Sequence, residues 1–217
     1  MKKYELTQNS IKIDNKTLYQ IKALKDFGSV KKGDLGGYIE SEKNLSYDGN
    51  CWVSGNAHVY GNALVSGNAQ VFEGAHVSGD ARVSGNAWVS GNARVFDNAW
   101  IYDNAHVYGN AKVYGNALVF DNTWIYGNAL VYGNTRVFGN ARVSGNASVS
   151  GNVHVSGNAH VSGDARLGYI PIDFDCDFDP YKALKEILNC PKILPTLLGL
   201  NKNLDKLIST ILTKTST

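Results

Sequence analysis

The chain has 217 residues, enough for one sizeable domain with an appendage, and its formal charge of +2 gives no case for nucleic acid or an anionic membrane as partner. Its 23 glycines, with leucine gathered mainly near the C-terminus, describe a turn-rich, repetitive β protein rather than a helical one. No run of about 18 apolar residues marks a membrane span, and the three cysteines (Cys51, Cys176, Cys190) have neither metal-ligand spacing nor the even count of a disulfide framework.

The first stretch, "MKKYELTQNS", carries two lysines but no apolar segment of a secretory leader, so a cytoplasmic protein with reduced thiols is expected. Residues 1–46 suit a small β cap: "SIKIDNKTLYQIKAL" alternates around an Asp-Asn turn as a hairpin does. "GDLGGYIESEKNLSYDGNCWV" then leads into the repeat.

From Val53 to Arg166 the chain divides into 19 uninterrupted hexads, (166 − 53 + 1)/6. Each reads aliphatic, then Ser/Tyr/Phe, then Gly/Asp, Asn/Asp, Ala and a variable residue; only "VFEGAH" at Val71–His76 disturbs the turn pair. The period has a physical reason. In a short strand such as His106-Val107-Tyr108, Val107 points one way and its neighbours the other. The Gly-Asn pair then turns the chain, since both residues tolerate positive φ. Valine in each strand and alanine at each corner give a narrow apolar core. Coils stacked in this way pair backbone groups above and below and set Asn over Asn in ladders. The pattern predicts an all-β parallel β-helix over residues 47–168.

The tail, residues 169–217, opens with the acidic "DFDCDFDP". Asp179-Pro180 forms an N-cap and N1 pair for "YKALKEILN", and Asn203 caps "LDKLISTILTK", so two short helices are expected. Asp173, Asp175, Asp177 and Asp179 lack the glycine and terminal glutamate of a calcium loop.

The hexad closely resembles the hexapeptide repeat of left-handed parallel β-helix proteins. That resemblance implies three hexads per 18-residue coil, about six coils, and a left-handed path; the handedness comes from the resemblance alone. It also implies frequent trimers, and some relatives are acyltransferases or zinc-dependent carbonic anhydrases.

An 18-residue coil sorts the outward residues onto three faces. On the first, Tyr108, Trp124 and Tyr126 fall together; on the second, Arg94, Phe96, Lys112, Tyr114 and Tyr132; on the third, Trp100, Tyr102, Leu118, Phe120 and Phe138. Serine fills the slot after the aliphatic residue elsewhere, but aromatics fill it in the middle coils, forming a belt. Five large apolar side chains on one face exceed the exposed apolar patch of an ordinary soluble monomer, so the belt is the candidate binding surface, for a second copy or for a protein partner. Aromatic ladders that merely reinforce the stack are the competing explanation. On the second face the mixture of Arg94, Lys112, Phe96 and Tyr114 suits a small phosphate-bearing or nucleobase ligand.

No catalytic residue, metal site or cofactor is assigned. His58 and His76 lie one coil apart, close enough in principle to share a metal, but family enzymes build their sites with inserted loops, and here no hexad is interrupted. The "GNA" triplets are turns into strands, not phosphate cradles at a helix N-terminus. The segment "DFGSVKKGDLGGYIESEKNLSYDGNCWVSGNA", residues 26–57, with the hexads that follow, looks like a family of phage, prophage and bacterial proteins often filed as hexapeptide transferases or polymer-forming proteins. A phage setting implies a host-directed role, including inhibition of antiviral defence. Three readings therefore stand: a non-catalytic binding protein, a trimeric acyltransferase, and a sponge for a nucleotide-like molecule.

Overall fold

The computed structural model describes residues 2–168. The expected helices of the tail, its acidic segment, Cys176 and Cys190 lie outside the described residues. Strand β1 (Tyr4–Ile13) and strand β2 (Lys16–Ala23) form the expected hairpin. Asp14 and Asn15 both take positive φ (48° and 62°), the signature of a type I′ turn whose twist matches the strands it joins. Strand β3 (Leu35–Ile39) pairs antiparallel with β2 on one side and parallel with His58–Val59 on the other. The sheet thus changes from hairpin to solenoid at β3, where Gly36 and Gly37 leave no room for a side chain: a Cβ at Gly36 would lie 2.5 Å from Ile21 and 2.6 Å from the Val53 carbonyl oxygen.

Beyond β3 the chain is an all-β parallel solenoid. Two-residue strands recur every six residues and pair with those 18 residues away, as Trp88 with His106 and Arg94 with Lys112. Three sheets of ten, seven and six strands result, the first including the hairpin. The solenoid makes about seven turns rather than six, because Ile39 and Leu45 already align with Val59 and Val65. That first turn holds two residues more than the later ones (65 − 45 = 20, against 18), so the hexad pattern does not reveal it.

Inside, the aliphatic residue of each hexad from Val53 to Val149 is fully buried, and the alanines from Ala57 to Ala147 line the corners. Removal of a valine side chain from water contributes about 1.5–3 kcal/mol, so each turn adds its own increment of core. Thr123 and Thr135 replace alanine without an unpaired hydroxyl: Thr123 Oγ1 donates to the Phe120 carbonyl, and Thr135 Oγ1 to that of Tyr132 at 2.7 Å. At the N-terminal end the core is closed by Tyr4, Phe27, Tyr47 and the buried Lys3. The Lys3 ammonium donates to the carbonyl oxygens of Cys51 (2.9 Å) and Gly49 (3.2 Å) and sits 4.9 Å above the Phe27 ring.

Three asparagine ladders run along the corners. Asn68, Asn86, Asn104, Asn122, Asn140 and Asn158 form one, each Nδ2 donating to the Oδ1 one coil further on at 3.0–3.3 Å. Among the described residues no helix is long and apolar enough to cross a membrane.

Candidate functional site

The slot after each inward aliphatic residue sits at a corner, and successive coils place these side chains one above another. Aromatic residues occupy it without a break from Phe96 to Phe138. Because consecutive hexads fall on different sheets, they separate into three stacks. Phe96, Tyr114 and Tyr132 stack at 4.8 and 4.9 Å with ring planes within 4°. Tyr102, Phe120 and Phe138 stack at 4.9 and 5.1 Å, and Tyr108 on Tyr126 at 5.1 Å. Each ring covers much of its neighbour's face, so these residues are half-buried. Burial raises the hydroxyl pKa of Tyr102, Tyr108 and Tyr114, while hydrogen bonds from Ser150 and Ser148 lower that of Tyr132.

The fully outward slot carries the tryptophans. Trp88, Trp100 and Trp124 are 47, 42 and 39 % exposed. On the first face Trp88, His106 and Trp124 form a column at 5.3 and 5.2 Å, closed by the Arg142 guanidinium 5.6 Å from the Trp124 ring. On the third face Trp100 is opposite Leu118 in register, lies edge-on to Tyr102, and carries the Arg82 guanidinium 4.9 Å above it. The residues assigned to each face from the sequence therefore do meet on that face. Trp52, in the same column as Trp88, differs: it is 4 % exposed, covered edge-on by Phe27 and Tyr4 from the cap.

Charge is segregated. Within the hexads the cations Arg82, Arg94, Lys112, Arg136, Arg142 and Arg166 all occupy outward strand positions, while Glu73, Asp80, Asp97, Asp103, Asp121 and Asp164 all sit in corner turns. Among the described residues the ion pairs are Lys2–Glu42, Lys16–Glu40 and Lys31–Asp26, all in the N-terminal segment, so no solenoid cation is matched to a carboxylate. Several acids instead serve the backbone. Asp121 Oδ2 accepts from the Gly139 amide at 2.9 Å, and Asp97 Oδ2 from that of Gly115 at 3.1 Å.

His58 and His76 lie 4.6 Å apart, edge to face, on the second face. Burial, with the neighbouring His76, pushes the His58 pKa down to about 4, and its Nδ1 is buried without a hydrogen-bond partner. Burial and then Arg94 lower the pKa of His76. Among the described residues no third histidine, cysteine or carboxylate joins them as a metal-ligand group. Beside His76, between the hairpin turn and the second face, a cleft of about 330 Å³ is lined by Ile13, Asp14, Tyr60, His76, Ser78, Arg94 and Phe96. Sequence reasoning placed Arg94 and Phe96 at a ligand surface but not Asp14, Tyr60 or Ser78. Nothing local in the sequence says that the hairpin turn reaches across to Tyr60, 46 positions away, where Asp14 Oδ2 accepts from the hydroxyl at 3.2 Å. An open groove of about 590 Å³ also follows one corner past Asp103, Asp121 and the asparagines between coils.

The period, the three stacked sheets and the turn chemistry settle the architecture. The chain is a β-solenoid repeat protein. The family described as the YdcK beta solenoid repeat matches it over residues 57–73, 75–91, 87–103, 124–139, 136–151 and 141–157. These segments cover less than half of the chain and leave out 104–123, inside the aromatic run. No curated protein matches the chain.

Proposed function

We propose that the protein is a non-catalytic binding scaffold whose exposed tryptophans, on the first and third faces of the aromatic belt, are covered by a second copy of the chain. One comparison carries this reading. Trp52 and Trp88 occupy equivalent positions in one column, two coils apart; the cap covers Trp52, whereas among the described residues Trp88, Trp100 and Trp124 stay 47, 42 and 39 % exposed. Indole faces of this size gain most from exclusion of water, and tryptophan and arginine dominate the energetics of protein contacts.

The charge pattern chooses the occupant. A face bearing only cations repels another such face but complements an acidic corner, and both surfaces belong to the same chain. Contact of a face with a corner is heterologous, and such contacts close into rings when the rotation allows; a ring of three is what the resemblance to hexapeptide-repeat proteins implies. The absence of catalysis is part of the proposal and rests on the uninterrupted hexads, which insert no loop beside the outward histidines.

Sedimentation velocity on the full chain tests this. The wild type is expected to sediment as an assembly well above 23.5 kDa, trimer foremost. The double variant Trp88→Ser/Trp124→Ser is expected to return to a single chain with an unchanged circular dichroism spectrum. A wild type that stays monomeric at tens of micromolar overturns the proposal, as does an assembly indifferent to the double substitution.

A further inference from the structure

A second surface reading concerns one corner of the second face, apart from the tryptophan columns. Down this corner the residues are Tyr60, Ser78, Phe96, Tyr114, Tyr132 and Ser150, each 18 positions from the last. Rings repeat at 4.8–4.9 Å from Tyr132 to Phe96, and there the stack stops. The next position is Ser78, and the one beyond it is again a ring, Tyr60. With coils about 4.8 Å apart, the interval from Phe96 to Tyr60 is roughly 9.6 Å, the spacing of two rings with one missing between them.

The cleft of about 330 Å³ lies at this gap and is lined by Tyr60, Ser78 and Phe96 together. Phe96 has one face against Tyr114; its other face looks towards Ser78 and has no aromatic partner among the described residues. Besides Ile13, the remaining lining is polar and carries both signs of charge. Asp14 supplies carboxylate acceptors from the hairpin turn, and Arg94 and His76 supply donors from the strands. Arg94 is paired in register with Lys112, so two exposed cations, neither matched to a carboxylate among the described residues, follow one another out of the cleft.

We propose that this gap is a binding slot for a planar heteroaromatic ring bearing an anionic arm, a nucleoside monophosphate being the simplest molecule of that kind. The ring takes the place of the missing member of the stack, against Phe96. An amino or ring N–H edge donates to Asp14, and the phosphate reaches Arg94 and Lys112. Stacking on an aromatic side chain holds any base, while the carboxylate favours bases with donors on the edge that faces it. A volume of this size lies in the range of small-molecule sites, with room for a base and part of a ribose.

Isothermal titration calorimetry of the full chain with AMP, GMP, CMP and UMP, and with inorganic phosphate alone, tests the slot. At least one nucleotide is expected to bind with a dissociation constant below about 1 mM, equivalent to about 4 kcal/mol, and at least tenfold more tightly than phosphate. Ser78→Phe, which puts a ring of the chain's own into the gap, is expected to abolish binding without loss of thermal stability. Arg94→Ala is expected to weaken it about tenfold, and serves on its own should Ser78→Phe fail to fold. The slot is refuted if no nucleotide binds, if phosphate alone binds as well as the nucleotides do, or if binding survives both substitutions. None of these outcomes depends on self-association, because Trp88 and Trp124 lie on a different sheet.

Discussion

His58 shows how far one side chain in the second face departs from its behaviour in water. Its imidazole is half-buried against His76 and stays neutral down to about pH 4. In the unfolded chain it protonates near pH 6.5, so between these values the unfolded state binds the additional proton. The stabilisation is therefore complete above about pH 6.5 and is lost as pH falls towards 4. Solvent screens part of the effect, leaving about 1–2 kcal/mol. Thermal melts of wild type and His58→Gln at pH 7 and pH 4.5 should show a larger acid-induced fall for the wild type; equal falls would refute the assignment. At the turns, Gly115 holds φ at 70°, and a Cβ there would lie 2.9 Å from the Gly133 amide nitrogen. Gly115→Ala is expected to cost about 1–2 kcal/mol in a denaturant titration. Asp97, Asp103 and Asp121 hold the same conformation at equivalent turns, and Asp97 and Asp121 also offer an acceptor to the next coil. The turns were legible because glycine, lacking a Cβ, and aspartate both tolerate the positive φ that the first residue of each pair adopts. The neutral histidine pair was not, because burial comes from coils on either side and from the hairpin.

The aromatic and asparagine ladders, considered as elements, divide the work of joining one coil to the next. Phe120 stacks on both Tyr102 and Phe138, so Phe120→Ala removes two contacts and is expected to cost about 1–3 kcal/mol, beyond any effect on association. A stability change within a few tenths of a kcal/mol of zero would show that the rings serve a partner and not the stack. Asn116 accepts from Asn98 and donates to Asn134, so Asn116→Ala should cost about 1 kcal/mol and Asn116→Asp somewhat less, since the acceptor is kept. Period and face assignment could be read from the residues because each hexad repeats the same physics. Two features could not. The turn built from Ile39 and Leu45 is 20 residues long and breaks the period, and Trp52 looks like the other tryptophans of its slot until the cap is seen to cover it. Both depend on how the N-terminal segment folds back on the first coils, which no local pattern specifies.

Along the described solenoid the strands pair with those of the coils before and after, so stability there accumulates nearly as a sum over neighbours. The segregation of charge, cations on faces and acids at corners, emerges only when the chain is wound, although the net charge of +2 conceals it. Salt should accordingly loosen a face-to-corner assembly: raising ionic strength from about 0.05 to 0.5 M shortens the screening length several-fold and should shift sedimentation towards the single chain. An assembly unaffected by salt would assign its energy to the indoles alone. The asparagine ladders carry one more implication. Every amide in them donates in the same sense, from a coil to the one that follows. The solenoid is thus vectorial: along each ladder the amide dipoles add, with carbonyl oxygens directed towards the hairpin end and amide nitrogens away from it. At the hairpin end, β1 and β2 extend the sheet antiparallel to the solenoid strands, so the parallel pairing that joins coil to coil stops there.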